Sequence, residues 1–88
     1  MTEIGVVVEV LPRNGDWIVS IRAHSVKDLR IKIGDVLRFE RSGSIEVTGL
    51  KFWSETELLD VLITNRPHAP EVGEAVGLEE RQPDAPRT

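Results

Sequence analysis

Cysteine is absent from this sequence, and long apolar runs are absent as well. Without cysteine the chain can form no disulfide, no thiolate zinc site and no thiol nucleophile. No apolar run reaches the roughly 18 residues that mark a candidate membrane helix. The chain begins Met1-Thr2-Glu3, with an acid in place of the basic start of a signal peptide. We therefore expect a cytoplasmic protein that contacts no membrane.

The composition is that of one small folded domain. The 88 residues are 40% hydrophobic and 30% charged, which matches neither a disordered chain nor a membrane protein. A chain of this length buries enough surface for one modest core. Large aromatic residues are scarce, since the chain has two Trp, two Phe and no Tyr.

The net charge of −4 is unevenly distributed. Residues 67–88 hold five acidic and two basic residues, a local charge of −3, whereas 22–51 holds seven basic and four acidic, a local charge of +3. Net acidity argues against a generic nucleic-acid binder. The basic stretch is compatible either with solvated positions of half-buried strands or with a face that contacts phosphates. The candidates for such a face are Arg22, Lys27, Arg30, Lys32, Arg38 and Arg41.

The first quarter of the chain predicts a β-hairpin over about 4–23. Apolar, mostly β-branched residues alternate with others through 4–11 and again through 17–23, which indicates two strands with one buried face each. Asn14-Gly15 lies between them. This dipeptide is a strong hairpin signal because both residues tolerate the positive φ of a type I′ turn.

Further strands are predicted over 36–41, 45–52 and 75–79, with a short extended piece over 29–33. Gly34-Asp35 and Ser42-Gly43-Ser44 separate these stretches and have turn compositions. Residues 54–64 are ambiguous. Ser54 to Glu57 matches a helical capping box, and a short helix in 54–62 is one alternative. The β-branched residues that follow and the early stop before Pro67 favour a strand.

Six short strands separated by Gly, Pro and Asn turns predict an all-β fold, a small antiparallel β-barrel. Closure of the barrel would remove the sheet edges that make an open sheet of this size prone to association. We expect a single barrel domain over 1–80. The polar, Pro-containing residues 81–88 are expected to be a disordered tail.

Residues with catalytic or metal-binding chemistry occur only in weak patterns. His24, Ser25 and Asp28 supply the types needed for nucleophilic catalysis, but adjacent side chains on an extended chain diverge. His68 and Glu71 have a helical ligand spacing, yet Pro67 and Pro70 oppose a helix there and two ligands do not close a site. Glu55 and Glu57 are interpreted as solvated acids. We expect neither enzymatic activity nor a cofactor.

Two tryptophans carry the remaining functional signal. Trp17 shares the parity of Val19 and Ile21, which favours burial in the core. Trp53 ends a predicted strand beside a polar loop. An exposed Trp there would be a contact for a protein partner or a stacking platform for a base.

Four stretches taken together resemble domain 2 of elongation factor Tu and related translational GTPases. Ile31 to Leu37 looks like the family's "vkvGDel" signature, and the 8–22 hairpin resembles its opening strands. Val47 to Leu50 is similar to its "VtGve" strand, and Gly73 to Leu78 to its "GdnVGl" closing strand. The order and spacing agree over about 4–79.

The resemblance implies a β-barrel that binds a protein or ribonucleoprotein partner. Asn14-Gly15-Asp16-Trp17 replaces the family's Gly-rich turn, Ala23 stands where a second glycine is usual, and 53–71 is longer than the usual connection. The 88 residues contain no GTPase domain, so neither GTP hydrolysis nor the grip on aminoacyl-tRNA is implied. We therefore expect a stand-alone, non-catalytic binding or adaptor module, and the resemblance implies an association with RNA or translation.

Two versions of this hypothesis differ in the partner. In the first, an RNA or ribonucleoprotein contacts the basic candidates; in the second, a protein-interaction or regulatory module unrelated to translation uses Trp53 and the 53–72 stretch. The sequence favours neither a monomer nor an oligomer.

Overall fold

A computed structural model describes residues 2–27 and 29–79, which form one antiparallel sheet with no helix. Its seven strands are β1 (Thr2–Arg13), β2 (Asp16–Ala23), β3 (Val36–Phe39), β4 (Gly43–Glu46), β5 (Gly49–Trp53), β6 (Leu58–Ile63) and β7 (Ala75–Leu78). The order across the sheet is β4-β3-β7-β1-β2-β6-β5. Across 2–27 and 29–79, no helix has the length and hydrophobicity needed to span a bilayer.

The predicted N-terminal hairpin is confirmed. Strands β1 and β2 pair from Gly5 with Ala23 to Arg13 with Asp16, so the loop between them has two residues. Asn14 and Gly15 occupy it with φ values of 48° and 88°, as a type I′ turn requires. Strand β1 pairs with β2 on one side and β7 on the other, so it lies at the centre of the sheet.

The core lies on one face of the sheet. Alternation places every second residue of β2 and β6 on that face, and Val19 and Ile21 pair directly with Val61 and Leu59. The buried cluster comprises Ile4, Val7, Val19, Ile21, Ile31, Leu37, Phe39, Ile45, Val47, Leu59, Val61, Ile63 and Val76.

The prediction of a closed or nearly closed six-stranded barrel is wrong in strand number, and the sheet is open instead of closed. The stretch 45–52, expected as one strand, divides into β4 and β5, which form the two opposite edges of an open sheet. The chain changes partners between them: the Val47 N–H donates to the Asp35 carbonyl at 2.9 Å, and the Thr48 N–H donates to the Leu62 carbonyl at 2.9 Å. The alternation of apolar and polar residues continues through this change of partner, so the sequence pattern does not reveal that 45–52 divides into two strands.

The ambiguous stretch 54–64 contains a strand, and the alternative of a short helix in 54–62 is wrong. Residues 54–57 form a turn in which the Thr56 N–H donates to the Trp53 carbonyl at 3.2 Å. Leu58–Ile63 then pairs with β2 and β5 at once. The backbone hydrogen bonds of two neighbours, together with β-branched residues, outweigh the capping-box signal.

The basic stretch 29–33, predicted as a short extended piece, belongs to no strand of the sheet and ends in a turn over 32–35. The Lys32 N–H donates to Asp35 Oδ2 at 2.9 Å, and the Asp35 N–H donates to the Lys32 carbonyl at 3.0 Å. Gly34 takes a φ of 98° within this turn. Residue 80, at the end of the predicted domain, and the predicted tail 81–88 lie outside the described residues.

Candidate functional site

A pocket of about 550 Å³ opens between the 29–35 loop, edge strand β5 and the end of β7. This volume is in the range of ligand-binding pockets, which are mostly apolar with a few polar groups. The lining has that character. It consists of Leu29, Arg30, Ile31, Lys32, Asp35, Phe52, Leu78 and Glu79.

The floor of the pocket is a continuation of the core. Ile31 belongs to the buried cluster, and Leu29 and Leu78 are partly buried against it. Phe52 pairs with Leu59, which is fully buried, so the Phe52 ring lies on the core-facing side of β5. Nothing on the far side of this edge strand covers the ring fully, and Phe52 remains 42% exposed.

Two of the charged residues of the pocket are exposed cations, and the other two are acids that already accept hydrogen bonds within the protein. Asp35 is 7% exposed and accepts the Lys32 N–H. Glu79 accepts the Ser44 hydroxyl at 2.7 Å and lies 3.6 Å from the Arg38 guanidinium. Arg30 and Lys32 form no ion pair with any described carboxylate. The rim therefore presents positive charge beside an apolar floor.

Trp53 is 43% exposed, but it lies on the opposite side of β5 from Phe52. Its indole N–H donates to Asp60 Oδ2 at 3.0 Å, and Lys51 Nζ lies 4.3 Å from the ring centroid. Asp60 Oδ1 accepts the Ser20 hydroxyl at 2.6 Å. The exposure considered for Trp53 is confirmed, although the side chain is anchored at both its polar edge and one ring face.

The six basic candidates do not form one patch. Arg22 lies on the outer face of β2, three strand positions from Arg38 on β3, which is a separation of roughly 14 Å. Arg38 pairs with Glu79, and Arg41 lies 3.5 Å from Glu71. Lys27 is exposed before the pocket loop, and its carbonyl accepts the Arg30 guanidinium N–H at 3.5 Å. Of the six candidates, Arg30 and Lys32 line the pocket.

Trp17 is partly buried against the core, in keeping with its predicted parity. Its indole N–H donates to the Arg66 carbonyl at 3.0 Å. This contact fixes the chain that leaves β6. Trp17 is therefore a structural residue, and its polar edge is satisfied as a buried indole requires.

His24, the first residue of the weak catalytic pattern, lies beside Glu3: its Nε2 is 3.0 Å from Glu3 Oε2, and both side chains are exposed. Asp28, the third residue of that pattern, lies outside the described residues. His68 and Glu71 lie in the loop before β7, and no group of three or more His, Asp and Glu within 2–27 and 29–79 could hold a metal.

Sequence reasoning missed two structural carboxylates. Glu57 was interpreted as solvated, but its Oε2 accepts the Val26 N–H at 2.7 Å and its carbonyl accepts the Ala23 N–H at 2.9 Å. Glu57 thereby anchors the loop that leads to the pocket. No motif in the sequence indicates this anchoring role. Glu57 also takes a φ of 56°, which its residue type does not predict.

Glu74 is the second, and it is 0% exposed. Oε1 accepts the N–H groups of Arg41 and Ser42, and Oε2 accepts the Ser42 hydroxyl and the Glu71 N–H, at 2.5–2.8 Å. Burial by itself raises the pKa of this carboxyl, but the hydrogen bonds from Glu71, Ser42 and Arg41 outweigh it, so the pKa lies below its usual 4.5. The carboxylate ties the β3–β4 turn to the turn before β7.

Comparison with known proteins gives no relative for this chain: no family model, no curated protein and no solved structure matches it.

Proposed function

We propose that this chain is a non-catalytic binding module whose contact site is the pocket beside edge strand β5. The observation that carries the proposal is the combination of an apolar floor, an exposed Phe52 ring and two cations without a carboxylate partner in the described residues. A concave, mostly apolar pocket with a few polar groups is the usual form of a binding site.

The state of the carboxylates supports a binding role over catalysis. A general acid or base must have a free lone pair or proton within reach of a substrate. Glu74 is buried and uses both oxygens on backbone and hydroxyl donors, and Glu57 uses an oxygen on the Val26 N–H. Asp35 likewise accepts a backbone N–H of its own turn. The three carboxylates hold turns in place, and Glu74 has both oxygens occupied in doing so.

The resemblance to domain 2 of elongation factor Tu suggests which kind of partner this module contacts. The stretch Ile31 to Leu37, one of the four motifs, supplies much of the pocket loop and the start of β3. We propose a translation-factor-like fold in which this loop contacts a component of a ribonucleoprotein. The dispersed positions of Arg22, Arg38 and Arg41 favour a protein component over direct contact with RNA.

Photo-crosslinking tests the existence and position of the contact. We expect a chain with p-benzoylphenylalanine in place of Phe52 to give one discrete adduct in native lysate on irradiation. The matched control carries the same group at Leu11, which is 46% exposed near the tip of the β1–β2 hairpin, at the other end of the sheet. Adducts of equal yield at both positions, or none at position 52, would contradict the proposal.

Binding of single-stranded RNA tests the nucleic-acid version separately. We expect the affinity for a mixed-sequence oligonucleotide to be weak at low salt and undetectable at physiological salt, because few exposed cations lie together. A salt titration followed by fluorescence polarisation measures this. Tight binding with a steep salt dependence, reduced by Arg22→Ala or Arg38→Ala, would favour an RNA-contacting sheet face instead.

A further inference from the structure

We propose that the pocket binds a large apolar side chain from an extended, acidic segment of a partner protein, and that this segment pairs with the free edge of β5. The inference rests on the proposed function, because it names the chemistry of the partner at the same site. Three features of the described residues carry it: the strand edge, the apolar floor and the charge of the rim.

The edge of β5 is available for strand addition. Strand β5 is the last strand of the sheet and pairs only with β6 among the described strands. Alternate backbone N–H and C=O groups of 49–53 therefore point away from the sheet, as in any edge strand. An extended peptide can pair with these groups, and the side chains on one of its faces then enter whatever pocket adjoins the edge.

The apolar floor lies where such a peptide would place its side chains. Phe52 lies on β5 itself and lines the pocket together with Leu29, Ile31 and Leu78. A segment paired with β5 would project every second side chain to the side of Phe52. With about 550 Å³ available, the pocket has room for a side chain as large as Leu or Phe.

The rim selects the charge of the segment. Two cations and two acids line the pocket. Arg30 and Lys32 are exposed and have no carboxylate partner in the described part of the chain, whereas Asp35 is 7% exposed and accepts the Lys32 N–H, and Glu79 is paired with Arg38. Acidic residues flanking the apolar side chain would complement these cations, and basic ones would be repelled. Charge complementarity at a rim contributes mainly to selectivity and association rate.

The chain's own C-terminal residues are poor occupants by composition. Residues 80–88 contain no Val, Leu, Ile, Met or aromatic residue, and Pro83 and Pro86 lack the N–H that strand pairing needs. In a second copy, Val72 is the one exposed large apolar residue of the described chain that directly adjoins an acid, and it precedes Gly73 in a turn, not in a strand. An extended segment of another protein can supply both a large apolar side chain flanked by acids and the backbone N–H groups that pairing with β5 needs.

The test uses the fluorescein-labelled peptide Glu-Asp-Phe-Thr-Leu-Asp-Glu, whose two apolar side chains share one face of a strand. We expect saturable binding to the full chain by fluorescence polarisation, and affinity that falls as salt rises. Replacing Phe and Leu of the peptide by Ser, or its acids by Lys, should abolish binding.

Adjacent positions of β5 provide the matched variants. Phe52→Ala should weaken the peptide about tenfold, because it removes the aromatic contact in the pocket. Trp53→Ala, which changes a side chain of similar exposure on the other side of the strand, should alter the affinity less than about twofold. Thermal melts establish that both variants are folded.

Charge variants keep the inference testable if Phe52→Ala does not fold. Arg30→Glu with Lys32→Glu should weaken the peptide about tenfold and remove most of the salt dependence. Arg22→Glu, a reversal on the outer face of β2, should have no effect.

Several outcomes would overturn the inference. These are no saturable binding, equal binding of the lysine peptide, or loss of affinity with Trp53→Ala but not with Phe52→Ala. Concentration-dependent self-association abolished by Phe52→Ala would assign the pocket to a second copy, and RNA binding lost with Phe52→Ala would assign it to nucleic acid.

A crosslinked adduct at position 52 without peptide binding would refute only the partner's chemistry, whereas failure of both experiments would refute the proposed function as well.

Discussion

Substitution of Glu74 by Ala is expected to lower the free energy of unfolding by about 3–5 kcal/mol. The stability of a domain of this size is on the order of 4–13 kcal/mol, so the loss is a large fraction of the total. The physical reason is that Glu74, itself 0% exposed, accepts from three backbone N–H groups and one hydroxyl. Removing the carboxylate leaves these donors without their acceptor inside the protein.

Glu74→Gln should give a smaller loss, about 2–3 kcal/mol. The amide oxygen can replace Oε1 and accept the Arg41 and Ser42 N–H groups. The NH₂ group would then face the Ser42 hydroxyl, which can rotate to accept, and the Glu71 N–H, which cannot. One backbone donor is lost, together with the negative charge that strengthened the others.

Equilibrium unfolding in urea at neutral pH measures both variants. Glu71→Gln is the matched control, because its side chain is 73% exposed and lies 3.5 Å from Arg41, while Glu74 uses only the backbone N–H of Glu71. Exposed ion pairs contribute little, so we expect a change below about 0.5 kcal/mol. Equal losses for Glu74→Ala and Glu71→Gln would show that the buried carboxylate does not hold the two turns together.

The same group makes stability fall in acid. Because the pKa of Glu74 in the folded protein lies below its usual 4.5, its stabilising contribution is fully present above that value and is lost as pH falls through the folded-state pKa. Glu74→Gln has no charge to lose at this position. Its stability should therefore depend less steeply on pH below about 4.5 than that of the wild type, when both are measured under identical salt.

The local strands were predictable, while their arrangement was not. Asn14-Gly15 fixes a two-residue hairpin through its positive φ values, and this information is local. The division of 45–52 into two edge strands depends on whether Val47 and Thr48 donate to Asp35 or Leu62. Those carbonyls are distant in sequence, and period-two alternation is the same for both partners.

The candidate site was predictable only in part for a similar reason. Charge pattern identified Arg30 and Lys32, and strand position identified Trp53, but the pocket depends on Phe52 reaching the core-facing side at the end of an edge strand. In the sequence, Phe52 looks like any core residue of a central strand. The roles of Glu57 and Glu74 depend mostly on backbone N–H groups 31 to 33 residues away, for which residue type gives no signal.

Gly5→Ala is expected to cost about 3 kcal/mol or more, because β1 and β2 leave no room for a side chain at this position. An added Cβ would lie 2.1 Å from the Arg22 carbonyl oxygen and 3.0 Å from Ala23 Cα, which are backbone atoms that cannot rotate away. Gly5 pairs with Ala23 on one side and with Val76 of β7 on the other. Since β1 joins the two halves of the sheet, separating it from β2 disturbs the entire core.

Gly15→Ala separates this steric effect from the conformational freedom of glycine. An added Cβ at Gly15 meets nothing within 4 Å, so its only cost is the φ of +88°, about 1–2 kcal/mol. Urea unfolding compares the two variants, and hydrogen exchange of the His24 amide, which donates to the Ile4 carbonyl at 2.9 Å beside Gly5, locates the damage. Gly5→Ala should lose more stability than Gly15→Ala and should lose protection at that amide. If the two variants lost equal stability, β1 and β2 would not approach each other this closely in solution.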